Sequence, residues 1–392
     1  MSETQDIVII GGGIIGASIA FFMSNTGLFS GQITVIEKDP GHKNSSTALS
    51  VGGVRHQFST PANIQMSQFA THFIKNCDQY LGIDEAINLY FKENGYLFLA
   101  TESGKETLSN NLEIQKNLGA DVCHLTPDQI QTRFQWLNTE ELSGANYGHS
   151  GEGWFDPNAL LQAFIQKAKS LGVKFIKGEV CELEMSKSSI QNLKLKSGKS
   201  ISAGWVINAA GPLAANISGM AGIKYFPVES RKRQVHVFRC AEYWSDCPFV
   251  IDPSGVYFRP EGHNFICGQS PNADQDPPTR NSDLDFAQFE DIIWPILANR
   301  VKAFEAIRRE HSWAGHYAYH VEDQNPIIGF HPEVKNIVFA NGFSGHGLQH
   351  APAVGRGITE LLISGRYQSI DLSAFSFERI ALKKLIRETE VV

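Results

Sequence analysis

The chain has 392 residues, of which 42% are hydrophobic and 19% charged, and its net charge is -7 at pH 7. This composition is typical of a globular protein, and the length allows two domains or one large interrupted domain. The negative charge gives no reason to expect a nucleic acid as partner. The six cysteines include no C-x-x-C pair, which argues against a zinc site and fits reduced thiols. We therefore expect a soluble, cytoplasmic protein that holds no metal.

The N-terminal region predicts a strand, a glycine turn, a helix and a second strand. Residues 6–10 are a short β-branched run typical of a buried strand, and residues 14–24 are apolar on every side, as in a helix packed under a sheet. Residues 33–36 predict the next buried strand, which ends at Glu37. After the first strand the glycines Gly11, Gly13 and Gly16 follow with the spacing G-x-G-x-x-G.

This pattern predicts a site for an adenine dinucleotide. Gly11 permits a tight turn, Gly13 presents no side chain to a pyrophosphate, and Gly16 lets the helix approach the strand. The helix N-terminus offers N–H groups and a partial positive charge to the phosphates. Glu37 is placed to accept a hydrogen bond from a ribose hydroxyl. The alternative is a tight turn that binds nothing, and the strand–turn–helix–strand context disfavours it.

Residues 44–55 form a loop rich in serine, threonine and glycine. Such a backbone can pass close to a ligand and donate N–H and hydroxyl hydrogen bonds. The alternative is an ordinary solvent-exposed loop.

The middle of the chain predicts a second, different architecture. Residues 62–81 have helical spacing, residues 90–100 predict a hairpin, and Thr126 caps a helix that has Pro127 in its first turn. Alternating segments at residues 234–238 and 255–260 predict antiparallel strands. We assign the substrate contacts to this more open sheet.

The last third of the chain returns to the first pattern. Residues 284–304 predict a helix, and a buried strand at residues 336–340 leads through a glycine-rich loop, residues 341–347, into a helix at residues 351–364. The final residues, 381–392, predict a terminal helix. A plain solvated helix is favoured over an amphipathic helix that touches the inner membrane.

Four pieces in this order resemble the FAD-dependent amine oxidoreductases of the D-amino-acid oxidase, glycine oxidase and sarcosine oxidase/dimethylglycine dehydrogenase superfamily. They are the first glycine turn with Glu37, the loop at residues 45–55, the buried strand at residues 205–212 that ends in a glycine, and residues 342–347. The chain is most similar to a group of FAD-dependent oxidoreductase domain-containing proteins linked to assembly of respiratory complex I. That closer resemblance is carried by LSVGGVRHQFSTPANIQMS, SGEGWFDPNALLQ, HSWAGHYAYH and NGFSGHGLQHAPAVGRG.

The resemblance implies an α/β fold of the glutathione-reductase type 2, or D-amino-acid oxidase-like, class. A Rossmann-like FAD-binding domain would carry an inserted α+β substrate domain with a mixed, largely antiparallel sheet. We expect the FAD-binding domain to comprise residues 1–88, 145–222 and 325–392, and the substrate domain to comprise residues 89–144 and 223–324.

The resemblance also implies how FAD would lie. Its adenosine would be near Glu37 and Val180, its pyrophosphate on the first glycine turn, and its flavin ring against the last glycine loop. A helix that starts near Gly347 would direct its positive end at the flavin and stabilise the reduced anion. The expected FAD contacts are Gly11, Gly13, Ile14, Ile15, Gly16, Glu37, Lys38, Ser45, Ser46, Thr47, Gly52, Gly53, Val180, Ala210, Gly211, Gly342, Gly345, His346, Gly347, Leu348 and Gln349.

The implied reaction is hydride transfer from a small amine or amino acid, of the sarcosine, dimethylglycine, proline or D-amino-acid type, to flavin N5. Arg55 falls where sarcosine oxidase-like members place a carboxylate-binding arginine, and a guanidinium fork suits that role. The alternative is a structural ion pair. Tyr257, Arg259 and Tyr317 are further candidates for substrate contacts, with packing as the alternative.

Two histidines of the last glycine segment are expected to shape the loop rather than to act as general bases. These are His346 and His350.

Departures from the family pattern refine the implied activity. Leu49 stands at the position of a flavin-linked histidine, and residues 315–316 at that of a flavin-linked cysteine, so we expect non-covalent FAD. The lysines of the oxidases are replaced near residues 266–267 and at Gln349. Both losses favour a dehydrogenase that passes electrons to a quinone or an electron-transfer flavoprotein over an oxidase that uses oxygen.

Two other functions stay open from the sequence. One is a flavoprotein assembly factor that binds respiratory-complex subunits, with FAD mainly structural. The other is an NAD-dependent dehydrogenase, which needs only one glycine turn and leaves residues 342–347 unexplained.

Overall fold

Two large sheets organise the chain in a computed structural model that describes residues 6–82, 87–271 and 275–389. The helices of these residues are α1 (Ile14–Asn25), α2 (Pro61–Lys75), α3 (Cys77–Leu81), α4 (Lys105–Asn117), α5 (Pro127–Arg133), α6 (Pro157–Ser170), α7 (Ala214–Met220), α8 (Trp294–Arg300), α9 (Gly347–Ser364) and α10 (Glu378–Ala381). None of these described helices is both long enough and apolar enough to cross a bilayer.

The strands of the described residues number consecutively from the N-terminal side. They are β1 (Ile7–Ile10), β2 (Ile33–Glu37), β3 (Gly53–Val54), β4 (Tyr96–Ala100), β5 (Val122–Leu125), β6 (Gly144–Gly148), β7 (Gly153–Trp154), β8 (Lys174–Lys177), β9 (Val180–Ser186), β10 (Ser189–Leu195), β11 (Ser200–Ser202), β12 (Trp205–Asn208), β13 (Val228–Arg239), β14 (Phe249–Ile251), β15 (Val256–Glu261), β16 (Asn264–Gln269), β17 (Arg308–His320), β18 (Ile327–Phe330) and β19 (Ile337–Asn341).

The six-stranded sheet has the order β18-β19-β12-β1-β2-β8, and its strands are parallel except for β18. Its central strands are buried on both faces, which explains their continuous apolar runs. Helices α1, α2, α6 and α9 cover one face, and the three-stranded sheet β11-β10-β9 with α7 covers the other. The predicted buried strands at residues 6–10 and 336–340 are therefore confirmed.

The eight-stranded sheet has the order β17-β13-β16-β15-β14-β4-β6-β5. Its pairs are antiparallel apart from β14 with β4, and β13 pairs with β17 along nearly its whole length. The helical segments between residues 288 and 306 close its core. Strand β6 belongs to this sheet, although the expected domain division at residue 144 placed most of it in the FAD-binding domain. The division into domains stays a prediction.

Several predicted elements differ from the structure. The hairpin at residues 90–100 is wrong, because β4 pairs with β6 and β14, whereas Lys92 forms a bridge with Trp154. The helix at residues 62–81 is two helices, since the chain departs from helical geometry at Asn76. The helix at residues 284–304 begins as a π-helix ahead of α8, whose first turn contains Pro295 and so lacks one N–H donor.

Helix boundaries near the end of the chain also differ from expectation. Helix α9 starts at Gly347, as the resemblance implied but four residues before the start predicted from the apolar pattern, and it contains Pro352. The predicted terminal helix over residues 381–392 is wrong for the described part, because α10 ends at Ala381 and residues 384–389 have no regular secondary structure. Residues 390–392 lie outside the described residues. Helix α5 begins as predicted, with a capping box at Thr126 and proline in the first turn.

Candidate active site

The first glycine turn, residues 11–16, is shaped by close backbone approach. Gly11 has φ +104°, and a Cβ added there would lie 2.3 Å from the carbonyl oxygen of Ala209. A Cβ on Gly16 would lie 1.9 Å from the carbonyl oxygen of Gly11. A Cβ on Gly13 would meet only Thr47 Oγ1, at 3.5 Å. The first and third glycines are therefore needed for the fold, whereas the second leaves space beside the helix N-terminus.

The N-terminus of α1 is suited to an anion. Gly13 is its N-cap and supplies no side-chain cap, and the N–H of Ile14 donates to Thr47 Oγ1 at 3.1 Å. At the end of β2 the carboxylate of Glu37 accepts hydrogen bonds from the N–H groups of Gly12 and Asp39, each at 2.7 Å. These donors fix the Glu37 carboxylate beside the turn, where we expect the ribose. The neighbouring Lys38 is exposed.

The last glycine loop, residues 342–347, lies between β19 and α9. A Cβ on Gly345 would lie 2.5 Å from the ring of Tyr317. Helix α9 has His346 as its N-cap and no side-chain cap. It packs on α1, where Ser18 Oγ donates to the carbonyl of Ala351 at 2.8 Å. Since β1 and β19 are parallel strands of one sheet, the N-termini of α1 and α9 lie at the same sheet edge.

The loop at residues 44–55 joins these parts. Ser46 Oγ donates to the carbonyl of His316, and Trp313 Nε1 donates to the carbonyl of Leu49 at 2.9 Å. Thr47 is buried against the start of α1. Thr47, Gly52 and Val54 are therefore not part of an ordinary solvent-exposed loop, whereas Asn44, Ser46 and Ala48 are exposed.

The remaining expected FAD contacts lie beside this edge. Gly211 follows β12, and an added Cβ there would meet nothing within 4 Å, so the space in front of it is open. The N–H of Ala210 donates to Asn208 Oδ1 at 3.2 Å. Val180 is the first residue of β9 and is buried. Helix N-termini whose N-cap residues supply no side-chain cap, the glycine turn at residues 11–16 and the open space beside Gly211 fit an extended dinucleotide.

Arg55 is held by the start of α9. Its backbone N–H donates to Gln349 Oε1 at 2.8 Å, and its Nη2 lies 3.4 Å from His346 Nε2. Its guanidinium carbon lies 4.5 Å from the ring centre of Phe58 and 5.3 Å from that of Phe98. The structure thus brings Arg55 together with two predicted cofactor residues of the last glycine segment.

Three tyrosines lie within electrostatic reach of each other. Burial raises the pKa of Tyr257 well above its usual range, and Tyr317 raises it further. Burial also raises the pKa of Tyr96, which Arg55 and Arg259 oppose. Tyr96 and Tyr257 are therefore neutral hydrogen-bonding groups, and Tyr96 lies within electrostatic reach of Arg55. Tyr96 was missed by the sequence analysis, although its alternation with Phe98 along β4 places both side chains on one face.

Arg259 is engaged with the loop. Its Nε and Nη2 donate to the carbonyl of Val51 at 3.1 and 2.6 Å, and its Nη1 donates to the carbonyl of Pro260 at 2.7 Å and to the carboxylate of Glu261. The guanidinium carbon also lies 5.1 Å from the ring centre of Trp154. These contacts support a role for Arg259 in positioning residues 44–55.

A buried carboxyl group lies near Arg55 and was missed as a site residue. Glu152 is fully buried, and it accepts hydrogen bonds from the N–H of His56 at 2.7 Å and from Gln57 Nε2 at 2.8 Å. Burial raises its pKa to about 7, although these two bonds and Arg55 act in the opposite direction. Only its place in the glycine-rich turn at residues 151–153 was visible in the sequence. We call Arg55, Tyr96, Glu152, His346 and Gln349 the Arg55 cluster.

The two histidines of α9 are neutral. Burial, together with Arg55, lowers the pKa of His346 well below its usual range and that of His350 to about 3. Because a guanidinium only donates, His346 Nε2 is the acceptor in its contact with Arg55. Neither ring nitrogen of His350 has a hydrogen-bond partner among the described residues. The expected loop-shaping hydrogen bond from the His350 ring is therefore wrong.

Comparisons with known proteins agree with this geometry. The family model for FAD-dependent oxidoreductases, named DAO, matches residues 6–361. The chain is 40% identical to FAD-dependent oxidoreductase domain-containing protein 1 of Xenopus laevis, with 100% of this chain and 85% of the relative covered. It is 22% identical to monomeric sarcosine oxidase of Bacillus sp. (strain B-0618), with both chains fully covered.

Solved structures show the same fold. L-proline dehydrogenase from P. horikoshii has a TM-score of 0.87 and 29% identity, covering 98% of this chain and 100% of that chain. Glycine oxidase from Geobacillus kaustophilus has a TM-score of 0.81 and 23% identity, covering 95% and 98%. The predicted Rossmann-like FAD-binding fold and the predicted cofactor, FAD, are confirmed. The chain belongs to the DAO family of FAD-dependent oxidoreductases.

Proposed function

We propose that this protein is a dehydrogenase that oxidises a small amine or amino acid, with a carboxylate of the substrate bound by Arg55. The observation that carries the proposal is the placement of Arg55 against the N-terminal end of α9, beside the last glycine loop. The substrate class is supported by similar proteins, which include an L-proline dehydrogenase, a glycine oxidase and a sarcosine oxidase.

The cofactor would be held mainly by backbone. Residues 11–16 would take the pyrophosphate, Glu37 the ribose, and residues 342–347 the flavin side of the molecule. Bound FAD supplies the hydride acceptor. Leu49 and Gly315 stand close together, with a Cβ on Gly315 lying 3.2 Å from that of Leu49, and neither is a residue that forms a covalent flavin bond. We therefore propose non-covalent binding.

The side chains of the Arg55 cluster would position the substrate. The planar fork of Arg55 matches a carboxylate, and its contact with the neutral His346 holds that fork in orientation. The neutral phenols of Tyr96 and Tyr257 would offer hydrogen bonds without adding charge, and their rings, with that of Tyr317, would exclude water. Gln349 accepts from the backbone of Arg55 and carries no positive charge. Its neutrality, together with Ile266 and Cys267 in β16, favours a dehydrogenase over an oxidase.

The experiment is anaerobic mixing of the FAD-loaded protein with sarcosine, dimethylglycine, glycine, L-proline and D-amino acids. We expect at least one of them to bleach the visible flavin absorption band. Arg55→Lys should raise the KM of that substrate by about 10²-fold, because the loss of a bidentate charge-assisted contact amounts to about 2–3 kcal/mol. Arg356→Lys is the matched control, because Arg356 pairs with Glu360 on α9.

Failure of every amine to reduce the flavin would overturn the proposal. That result would favour the alternative of a flavoprotein assembly factor that contacts respiratory-complex subunits. The electron acceptor is tested separately by adding a quinone, an electron-transfer flavoprotein or oxygen to the reduced protein.

A further inference from the structure

A small, partly open cavity lies beside Arg55. Its volume, measured as the space that the centre of a water molecule can occupy, is about 20 Å³, enough for about one water. Arg55, Phe58 and Phe98 form one side, and Asn111 forms another. The rest of its wall includes Glu388 and Thr389, which lie more than 320 positions from Arg55 along the chain. Residues 388–389 thus complete a cavity whose other walls come from the loop after β3, from β4, α4 and β6.

Glu388 is anchored at the N-terminus of α2. Its carboxylate accepts hydrogen bonds from the N–H and hydroxyl groups of Ser59 at 2.6 and 2.8 Å, from the N–H of Thr60 at 3.3 Å and from Asn63 Nδ2 at 2.5 Å. Thr60 is the N-cap of α2 but makes no side-chain cap hydrogen bond. Glu388 therefore supplies the negative group that stabilises this helix end.

The residues on either side of Glu388 are also fixed. Thr389 Oγ1 donates to Asn111 Oδ1 at 3.0 Å, and Asn111 Nδ2 donates to the Thr389 carbonyl at 2.6 Å. Upstream, the N–H of Ile386 donates to Asp323 Oδ2 at 3.2 Å, and its carbonyl accepts from Asn325 Nδ2 at 2.8 Å. These bonds hold residues 386–389 as a defined wall of the cavity.

One wall residue has an unsatisfied acceptor. Gln115 is 2% exposed, and its Nε2 donates to the carbonyl of Phe58 at 3.1 Å. Its Oε1 has no donor among the described residues. A buried amide oxygen is normally hydrogen-bonded, so this side of the cavity suits a water or one small group that carries an N–H or O–H.

We infer that Glu388 and Thr389 set the size of the substrate, because they close the space beside the Arg55 guanidinium to little more than one water. This inference rests on the proposed function, since Arg55 must bind the substrate carboxylate. A substrate substituent that extends past Arg55 must then be small and can be polar. The specificity-determining wall comes from a segment that the sequence alone predicts as a solvated terminal helix.

The test compares two carboxylates of different size, benzoate and 2-naphthoate, as ligands of the FAD-loaded protein. Binding is measured from the change in the visible flavin absorption. We expect Glu388→Ala/Thr389→Ala to lower the Kd of 2-naphthoate at least about tenfold and to change that of benzoate less than about threefold. Glu378→Ala is the control, since Glu378 is exposed on α10.

A second variant controls for the possibility that removing Glu388 destabilises the N-terminus of α2. Asn111→Ala enlarges the same cavity without removing the Glu388 carboxylate, and we expect the same shift in preference. If both carboxylates bind and the preference is unchanged in both variants, the inference is overturned and the proposed function stands. If neither carboxylate changes the flavin absorption of the unmodified protein, the assignment of Arg55 as the carboxylate-binding residue is overturned, and so is the inference.

Discussion

The first glycine turn and the Arg55 cluster lie at the same edge of the six-stranded sheet but are built in different ways. The turn consists of six consecutive residues whose backbone atoms pack closely against other backbone atoms, as Gly16 does against the carbonyl of Gly11. The cluster consists of side chains from separate parts of the chain, of which Tyr96 comes from β4 and Gln349 from α9. A site made of backbone requires glycine at fixed spacing, whereas a site made of side chains requires only that distant strands and loops meet.

The largest effect on stability is expected from a substitution within the first glycine turn. In Gly16→Ala the new methyl would lie 1.9 Å from a backbone carbonyl that cannot move without disrupting β1, so we expect the free energy of unfolding to fall by on the order of 4 kcal/mol. In Gly13→Ala the methyl makes only an ordinary contact, so this matched variant should fold normally. Denaturant unfolding of both variants measures the difference.

Gly13→Ala should instead weaken the binding of FAD. Its methyl would occupy the space beside the N-terminus of α1, and we expect the Kd for FAD to rise by about 10²-fold, or about 3 kcal/mol. Titration of the apoprotein followed by flavin fluorescence provides the value. Equal FAD affinity in Gly13→Ala and the unmodified protein would contradict the placement of the pyrophosphate.

The Arg55 cluster is expected to leave a pH signature that the turn lacks. The Glu152 carboxyl has a pKa of about 7 in the folded protein and near 4.5 in the unfolded chain. The folded state therefore binds this proton more tightly, and the stabilisation is complete below pH 4.5 and lost as the pH rises through 7. Between about pH 4 and about pH 8 the unmodified protein should lose about 3 kcal/mol more stability than Glu152→Gln.

Denaturant unfolding at a series of pH values tests this prediction. Taking the difference between protein and variant removes the contribution of the other titrating groups. A difference that does not vary with pH would show that Glu152 titrates normally.

The two arginines near the loop should respond differently to the same substitution. Arg259→Lys loses the fork that binds the Val51 carbonyl, so we expect residues 44–55 to be held less firmly and the Kd for FAD to rise by about 2 kcal/mol, or about 30-fold. The KM for the amine should change little, in contrast to Arg55→Lys. A larger effect on KM than on FAD binding would assign Arg259 to the substrate.

The smallest expected effect is a gain in stability. His350 is fully buried with two ring nitrogens that have no partner among the described residues, and burial lowers its pKa to about 3. His350→Met keeps the volume and removes both unpaired nitrogens, so the apoprotein should gain about 1 kcal/mol in thermal or denaturant unfolding. A loss of FAD affinity in this variant would show that the imidazole contacts the cofactor.

The sequence predicts those parts of the fold in which local pattern and tertiary structure agree. Strands β1 and β19 were predictable because burial on both faces requires a continuous apolar run. The hairpin at residues 90–100 was wrong because the partners of β4 are β6 and β14, which lie about 50 and 150 positions away. No short-range pattern encodes such a pairing.

The same limit applies to the site. The glycine turns and Arg55 were identified from spacing and resemblance. Glu152 and Tyr96 were missed, because a glutamate in a turn and a tyrosine in a strand acquire meaning only when the folded chain places them near Arg55. The non-helical conformation of residues 384–389 was missed because their amphipathic pattern favours a helix, whereas hydrogen bonds from Asn63 and Asn111 hold residues 388–389 in place.

The loop at residues 44–55 has a consequence for synthesis of the protein. The loop contacts the side chain of Arg259, the carbonyl of His316 and the side chain of Gln349. All three residues leave the ribosome long after the loop itself. A nascent chain that ends before residue 349 holds the first glycine turn but only part of the surface that would enclose the cofactor. We therefore expect flavin to bind only at the final stage of translation or after release, and chains that terminate earlier to lack flavin colour.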